Sequence, residues 1–236
     1  MSTFTLERII PKRISKDSLE YETLQLHLER YQFATPYIQR KRVLDIACGV
    51  GYGSKILVEL GADSVTGVDI SLEAIQYAKQ HYAHSKIEYH IQDAMTFEDT
   101  KPYDVIISLE TIEHLSDPHA FINRLPTLLK PNGILIGSVP ITCSSDFNPY
   151  HLYDFTESEF LKTIENSNMK IIEKKLQIQP IKLFKLLRNK SPRTYNWRDN
   201  MLHFYYNKSD LLFRRIYETI RYGFNNRYLI IVAEKQ

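Results

Sequence analysis

Two histidines and a glutamate stand just after predicted strands, and their side chains could move a proton. Glu113 and His114 follow an apolar run that ends at Leu109, and His151 lies in the loop after the next such run. An imidazole has a pKa near neutral pH, so it can take the proton of a hydroxyl group while the oxygen forms a new bond. We therefore predict catalytic roles for Glu113, His114 and His151.

A glycine-rich loop after the first predicted strand indicates a second kind of chemistry, the binding of a nucleoside. The stretch VLDIACGVGYGS, residues 43–54, leads from an apolar run into Gly49, Gly51 and Gly53. Glycine allows positive φ and a close approach of backbone to a ligand. Asp69 closes the second strand twenty residues after Gly49, the spacing at which an acid meets ribose hydroxyls in a doubly wound nucleotide fold.

Two details separate this loop from that of dinucleotide dehydrogenases. Gly53 comes one position earlier than the third glycine of G-x-G-x-x-G, and Asp45 lies inside the end of the first strand. A carboxylate is unfavourable beside a pyrophosphate and favourable beside an ammonium group. The loop therefore favours a ligand with a positive charge at this end.

Alternating strands and helices must position these residues. After the first strand we predict strands at Val65 to Val68, Lys86 to Gln92, Tyr103 to Leu109, residues 134–139, Met169 to Gln179 and Tyr228 to Glu234. Ser71, Asp117 and Thr156 are predicted helix N-caps. A helix from Leu19 to about Tyr37, closed by Pro36, precedes the sheet. This order predicts an α/β fold with a mainly parallel sheet and helices on both faces.

The composition fits one globular domain with an elaboration. The chain has 236 residues, of which 43% are hydrophobic and 25% charged. No apolar run approaches the roughly 20 residues of a membrane span, and the N-terminus lacks a signal-peptide core, so we expect a cytoplasmic protein. Cys48 and Cys143 form neither a disulfide framework nor a zinc pattern.

Residues 180–227 are built differently from the rest of the chain. They carry eleven Lys or Arg against three Asp or Glu, whereas the whole chain has a net charge of +2. Stretches 181–188 and 208–222 are predicted amphipathic helices. We expect this segment to be a lid over an anionic acceptor or an oligomer surface, and a basic face could also meet membrane or nucleic acid.

The motifs D-x-x-C-G-x-G-x-G, starting at Asp45, and V-D-I-S, starting at Val68, resemble motifs I and II of class I S-adenosylmethionine-dependent methyltransferases. The resemblance implies S-adenosylmethionine as cofactor and a Rossmann-like sheet of seven strands in the order 3-2-1-4-5-7-6. It divides the chain into an N-terminal helical segment over the cofactor site (1–40), a core (41–179 and 228–236) and the insertion 180–227 between strands six and seven.

The resemblance also implies which residues bind the cofactor. Those at its methionine end are Asp45, Ala47, Gly49, Gly51, Gly53, Leu109 and Glu110. Those at its nucleoside end are Asp69 at the ribose hydroxyls, Ile70 against adenine, and Asp93 with Ala94 at the adenine amino group. The helix before the first strand can lie across the mouth of the cofactor crevice, where it would supply Tyr21 or Arg30 to the methionine carboxylate.

Three further stretches, SLETIEHLSDP, LKPNGILIGSVP and NPYHLYDFTESEF, look like the methyltransferases of bacterial capsule, lipopolysaccharide and other glycan assembly. The resemblance implies methyl transfer to a hydroxyl or amine of a sugar or sugar-derived, phosphate-bearing small molecule in surface-polysaccharide biosynthesis. We expect an anionic small-molecule acceptor and a possible homodimer. Nucleic acid is not an expected partner.

Two alternatives stay open. Glu110, Glu113, His114 and His151 resemble the E-x-x-E-H with a later histidine of small-RNA 3'-terminal 2'-O-methyltransferases, where such residues hold a divalent metal. The same pattern occurs in metal-free relatives, so we assign no metal ligand. The other alternative is a non-catalytic module that binds the cofactor.

Overall fold

The computed structural model describes residues 10–11, 14, 19–145, 148, 150–180 and 205–236. Its strands are β1 (Arg42–Ile46), β2 (Ser64–Asp69), β3 (Ile87–Ile91), β4 (Tyr103–Leu109), β5 (Leu129–Pro140), β6 (Met169–Pro180) and β7 (Asn225–Lys235). They form one sheet in the order β3-β2-β1-β4-β5-β7-β6. Strands β1 to β5 pair in parallel, and β7 is antiparallel to both β5 and β6. The predicted fold class and strand order are confirmed.

Helices cover both faces of this sheet. They are α1 (Leu19–Phe33), α2 (Thr35–Ile38), α3 (Tyr52–Glu59), α4 (Leu72–His81), α5 (Pro118–Leu128), α6 (Glu157–Asn166) and α7 (Ser209–Tyr222). Neighbouring residues of β4 enter different hydrophobic clusters, since Ile106 packs with Phe121 of α5 and Ile107 packs with Leu57 of α3. This alternation places the two clusters on opposite faces. Among the described helices, none has the length and apolar character needed to cross a bilayer.

Side-chain hydrogen bonds cap the N-termini of three helices at the predicted residues. The Ser71 hydroxyl accepts the Ala74 N–H at 3.2 Å, and the Asp117 carboxylate accepts the Ala120 N–H at 2.9 Å. Thr156 closes a reciprocal capping box with the side chain three residues later. These caps are confirmed, and each follows a loop that leaves the carboxyl end of a strand.

Element ends differ from prediction by more than one residue at three places, and the ends of β2, β3 and β6 differ by one residue. The N-terminal helix stops at Phe33, and Pro36 lies in the first turn of the separate helix α2, where its missing N–H costs no hydrogen bond. Strand β5 starts at Leu129, because that residue already pairs with Tyr103 of β4. Strand β7 starts at Asn225, because it pairs with the end of β6.

The insertion is described only in part. The predicted helix over 208–222 is present as α7, and the predicted helix over 181–188 lies outside the described residues. The division of the chain into three domains stays a proposal.

Two glycines of the loop are needed for helix packing. A Cβ on Gly53 would lie 2.0 Å from Cζ of Tyr31, so α1 and α3 can meet only over a residue without a side chain. Gly51 has φ +83°, and a Cβ there would lie 2.6 Å from Cβ of Ala78 in α4. Around Gly49, by contrast, a Cβ would have no heavy atom of the protein within 4 Å. Of the three glycines, Gly49 is therefore the one with open space beside it.

We predict that Gly53→Ala lowers the free energy of unfolding by about 1–3 kcal/mol, because Tyr31 must move to admit the methyl group. Alanine is otherwise favoured over glycine in a helix by about 1 kcal/mol, so a loss reports the steric contact. Denaturant unfolding measures the change. Gly137→Ala is the matched control, since a Cβ there meets its nearest neighbour at 3.7 Å. Equal stability of the two variants would contradict the close packing.

Candidate active site

The carboxyl ends of the parallel strands meet at one edge of the sheet, and the predicted site residues follow them. The glycine loop leaves β1, Ile70 follows β2, Glu110 follows β4, and the loop with His151 follows β5. In a doubly wound sheet this edge forms the ligand crevice. The topology thus brings the predicted cofactor and acceptor residues to the same side of the molecule.

Asp69 ties the glycine loop to β2. Its Oδ2 accepts the Gly49 N–H at 2.9 Å, and its Oδ1 accepts the Ser71 N–H at 2.8 Å. A carboxylate has about four acceptor positions, so ribose hydroxyls could add to these two bonds. The role of Asp69 at the ribose stays a prediction. Its observed role is to hold the loop that carries Gly49.

Asp45 is a buried acid beneath the same loop. It accepts hydrogen bonds from the Ser54 hydroxyl at 2.6 Å and from the Tyr31 hydroxyl at 3.4 Å. Burial raises the pKa of Asp45 to about 6, the two hydrogen bonds oppose the rise, and the charge of Asp69 adds to it. An ammonium group nearby would favour the ionised form of Asp45.

Arg30 reaches from α1 to the end of β4. Its Nε donates to Oε1 of Gln177 at 2.9 Å, and its Nη1 lies 3.3 Å from Oε1 of Glu110. Its Cζ lies 4.4 Å from the ring centroid of Tyr228. Glu110 in turn accepts the Ser138 hydroxyl at 2.9 Å. The structure therefore engages Arg30 with Glu110, and the predicted contact of Arg30 with the methionine carboxylate stays a proposal.

The other predicted cofactor residues differ in their exposure and in their contacts with the protein. Ile70 is 65% exposed and offers an apolar surface where adenine is predicted. Asp93 accepts the Met95 N–H at 2.8 Å, and Ala94 is buried. Ala47 adopts φ +61°, and Tyr21 is half-buried on α1. Their contacts with the cofactor, like that of Leu109 at the end of β4, stay predictions.

Glu113, His114 and His151 come together after β4. The carbonyl oxygen of Glu113 accepts the N–H groups of Leu152 at 2.8 Å and Tyr153 at 3.1 Å. These bonds place His151 against His114, with ring centroids 4.7 Å apart and planes at 89°. One possible ligand atom from each of the three side chains lies within 4.8 Å of the others. The structure thus unites residues that the sequence separates by a strand and a helix.

Burial disfavours charge in this cluster. In the part of the chain that the structure describes, neither carboxylate oxygen of Glu113 has a hydrogen-bond partner. Burial raises the pKa of Glu113 well above its usual range, and the charge of Glu110 adds to the rise. Burial also lowers the pKa of His151 to about 3, as does His114, while Asp154 opposes the change. A cation would stabilise the ionised carboxylate, so the cluster fits a divalent metal, for which these residue types are suitable ligands.

Ser144 and Asp154 belong to the same region and were missed in the sequence. The Ser144 hydroxyl lies 2.7 Å from Nδ1 of His151 and donates to Oδ1 of Asp154 at 3.1 Å. The available signal was their position, since Ser144 opens the loop that carries His151 and Asp154 closes it. No periodicity or motif spacing marks such a contact.

Helix α7 holds both ends of that loop. Arg214 donates to the carbonyl oxygens of Asp154 at 3.0 Å and Phe155 at 2.6 Å. Glu218 accepts the Cys143 N–H at 2.9 Å, and Arg215 donates to the Cys143 carbonyl. The described part of the insertion therefore uses these two arginines to bind backbone carbonyls.

Comparison with known proteins now relates this site to a family. Residues 44–137 match the methyltransferase domain family. This match relates the stretch to that family and covers less than half of the chain. The chain is 34% identical over 112 residues to a ubiquinone biosynthesis O-methyltransferase of Bordetella avium, covering 46% of each chain. It is 36% identical over 127 residues to the protein of the same name from Coxiella burnetii, covering 52% of each chain.

A solved structure extends the likeness to the whole fold. The N-methyltransferase NodS from Bradyrhizobium japonicum, in complex with S-adenosyl-L-homocysteine, superposes with a TM-score of 0.62 at 14% identity, covering 98% of this chain and 94% of that one. At this identity the likeness concerns the fold. The family match over residues 44–137 and the names of the relatives confirm the predicted class, an S-adenosylmethionine-dependent methyltransferase, and its cofactor at the level of that stretch.

The prediction of a sugar or polysaccharide acceptor is wrong. The curated relatives are named for ubiquinone biosynthesis, and they do not favour the RNA alternative either. The stretches that suggested glycan enzymes form the end of β4, strand β5 and the capped start of α6. These stretches also carry the residues of the candidate site, and their resemblance to glycan enzymes does not agree with the names of the relatives. The chain spans about half the length of the curated relatives it matches.

We predict that affinity for S-adenosylmethionine falls as the pH drops below about 6. Asp45 has a raised pKa of about 6 in the free protein, so below this pH it holds a proton that must leave before it can face the ligand's ammonium group. The loss approaches tenfold per pH unit. Calorimetry between pH 5 and 7.5 measures it, and Asp45→Asn should remove this pH dependence. A slope that Asp45→Asn leaves intact would assign the proton to another group.

Proposed function

We propose that the protein transfers the methyl group of S-adenosylmethionine to a ring hydroxyl of a small quinone-type acceptor. The observation that carries this proposal is the cluster of the buried Glu113 with the half-buried His114 and His151, at the edge where the cofactor's methionine end is expected. The names of the relatives support both the O-methyl product and the quinone-related acceptor.

The reaction needs one bond to form, one to break and one proton to move. The acceptor oxygen attacks the methyl carbon, the bond between that carbon and sulfur breaks, and S-adenosylhomocysteine leaves. The hydroxyl proton passes to a basic side chain, for which His151 is our candidate, with His114 beside it. Positioning of the oxygen in line with the sulfur supplies much of the rate.

The loop and the helices around the cluster would keep the acceptor in place and water out. Leu152 and Tyr153 are fixed on Glu113, and α7 fixes both ends of the loop. Arg214 and Arg215 are bound to backbone carbonyls, so the proposal needs no negative charge on the acceptor.

A divalent cation at the same site is an alternative to proton uptake by His151, because a metal-bound ring nitrogen has no free lone pair for a proton. Glu113, His114 and His151 would hold it, and a bound cation would lower the pKa of a hydroxyl group that it coordinates. The unpartnered carboxylate of Glu113 supports this proposal, because a buried carboxylate is costly without a compensating charge.

We predict methyl transfer from labelled S-adenosylmethionine to a dihydroxylated aromatic ring, detected by mass spectrometry of the product. His151→Ala should lower kcat by about 10²–10⁴-fold, the usual contribution of acid–base catalysis, with little change in cofactor affinity by calorimetry. His84→Ala, in the turn before β3, is the control. Transfer to nucleotide sugars or RNA ends but not to phenolic rings would contradict the proposal.

The metal has its own prediction. Dialysis against a chelator should lower the wild-type rate, and added Mg²⁺ or Mn²⁺ should restore it. Glu113→Gln should reduce the metal content measured by elemental analysis after equilibration with Mn²⁺, because the neutral amide is a poorer ligand. A rate indifferent to chelation, together with equal Mn²⁺ content in wild type and Glu113→Gln, would contradict a metal role.

A further inference from the structure

We propose that Ser144 and Asp154 are positioning residues that hold His151 in the tautomer with its proton on Nδ1 and its lone pair on Nε2. The inference rests on the proposed function, in which His151 takes the proton of the acceptor hydroxyl. The two residues act through His151, and neither is placed in contact with the acceptor.

The hydrogen bonds around Ser144 define the argument. The Ser144 Oγ lies 2.7 Å from Nδ1 of His151 and 3.1 Å from Oδ1 of Asp154. A serine hydroxyl has one proton to donate, and an ionised carboxylate can only accept. Because a charged oxygen is the stronger acceptor, the Ser144 proton goes to Asp154. The Ser144 oxygen must then accept from His151, which places a proton on Nδ1.

Asp154 is itself held firmly. Its Oδ1 accepts the backbone N–H of Ser144 at 2.7 Å and that of Ser145 at 3.1 Å, and its Oδ2 accepts the Ser145 hydroxyl. Burial alone would raise the pKa of Asp154, but these hydrogen bonds from Ser145 and the backbone lower it. Its own carbonyl is held by Arg214 of α7. The carboxylate is therefore both charged and fixed when Ser144 donates to it.

His114 also carries its proton on Nδ1, because of a different contact. Its Nδ1 lies 2.9 Å from the carbonyl oxygen of Tyr150, which can only accept, so Nδ1 carries the proton. Both rings of the cluster then have their lone pair on Nε2. An Nε2 with a lone pair can take a proton or bind a cation, whereas an Nε2–H can do neither. Ser144 and Asp154 therefore decide whether His151 can act at all.

Nitrogen NMR of the imidazole rings tests the inference without any acceptor. Long-range ¹H–¹⁵N spectra of the full chain at pH 7, with His151 assigned by its loss in His151→Gln, should show the Nδ1–H form in wild type. Ser144→Ala should change this to the Nε2–H form or a mixture of the two. With a phenolic acceptor, the kcat of Ser144→Ala should be about tenfold or more below that of the wild type, while its affinity for the cofactor is unchanged.

Ser145→Ala is the matched control, because Ser145 donates to the same carboxylate without contacting His151. It should keep the Nδ1–H form, and Ser144→Thr, which retains a hydroxyl, should keep it as well. An Nε2–H ring in wild type, or the same change in Ser145→Ala as in Ser144→Ala, would overturn the inference. A wild-type protein with the expected tautomer but no transfer to phenolic rings would refute the proposed function and leave the positioning of His151 in place.

Discussion

The carbonyl oxygen of Glu113 is the contact on which the acceptor side of the site depends. It accepts two consecutive N–H groups from the loop that follows β5, and so joins segments that lie about forty residues apart in the chain. Because backbone groups make these bonds, the loop has a fixed register against the end of β4. That register brings one imidazole edge-on to another and places both over a buried carboxylate.

The cofactor side is held by acids that face inward. Asp69 binds the backbone of the loop after β1, and Asp45 binds hydroxyls from α1 and α3. Both carboxylates are almost fully buried. Their shared surroundings explain why the charge on one raises the pKa of the other. A cationic ligand would offset the repulsion between the two carboxylates, which is consistent with a sulfonium nucleoside carrying an ammonium group.

Much of the fold follows from short-range chemistry in the sequence. Strand β4 has the predicted ends because its apolar run lies between Pro102 and Glu110, and the helix caps depend on hydrogen bonds between near neighbours. The break at Ala34 was not predictable from spacing, since the pattern of apolar residues continues through it. The motif predicts Gly53 as a residue of the cofactor loop, whereas in the structure a side chain at this position would collide with Tyr31. That contact was not predictable from the motif, because the two residues are distant in the chain.

The site, like the fold, was predictable where it depends on strand ends and not where it depends on the path of a loop. Strand ends located Glu113, His114 and His151, because the carboxyl ends of parallel strands must share an edge. Ser144 and Asp154 were not found, since their importance depends on the path of a loop without regular structure. The acceptor could not be read from motifs that serve the common fold.

Helix α7 grips the chain on either side of His151 through carbonyl and amide groups of the main chain. Main-chain groups are present whatever side chains the loop carries, so this brace tolerates sequence change in the span that it encloses. Residues such as Tyr150 and Leu152, both of which are exposed, can therefore be exchanged while the contacts of α7 with the ends of the loop are kept.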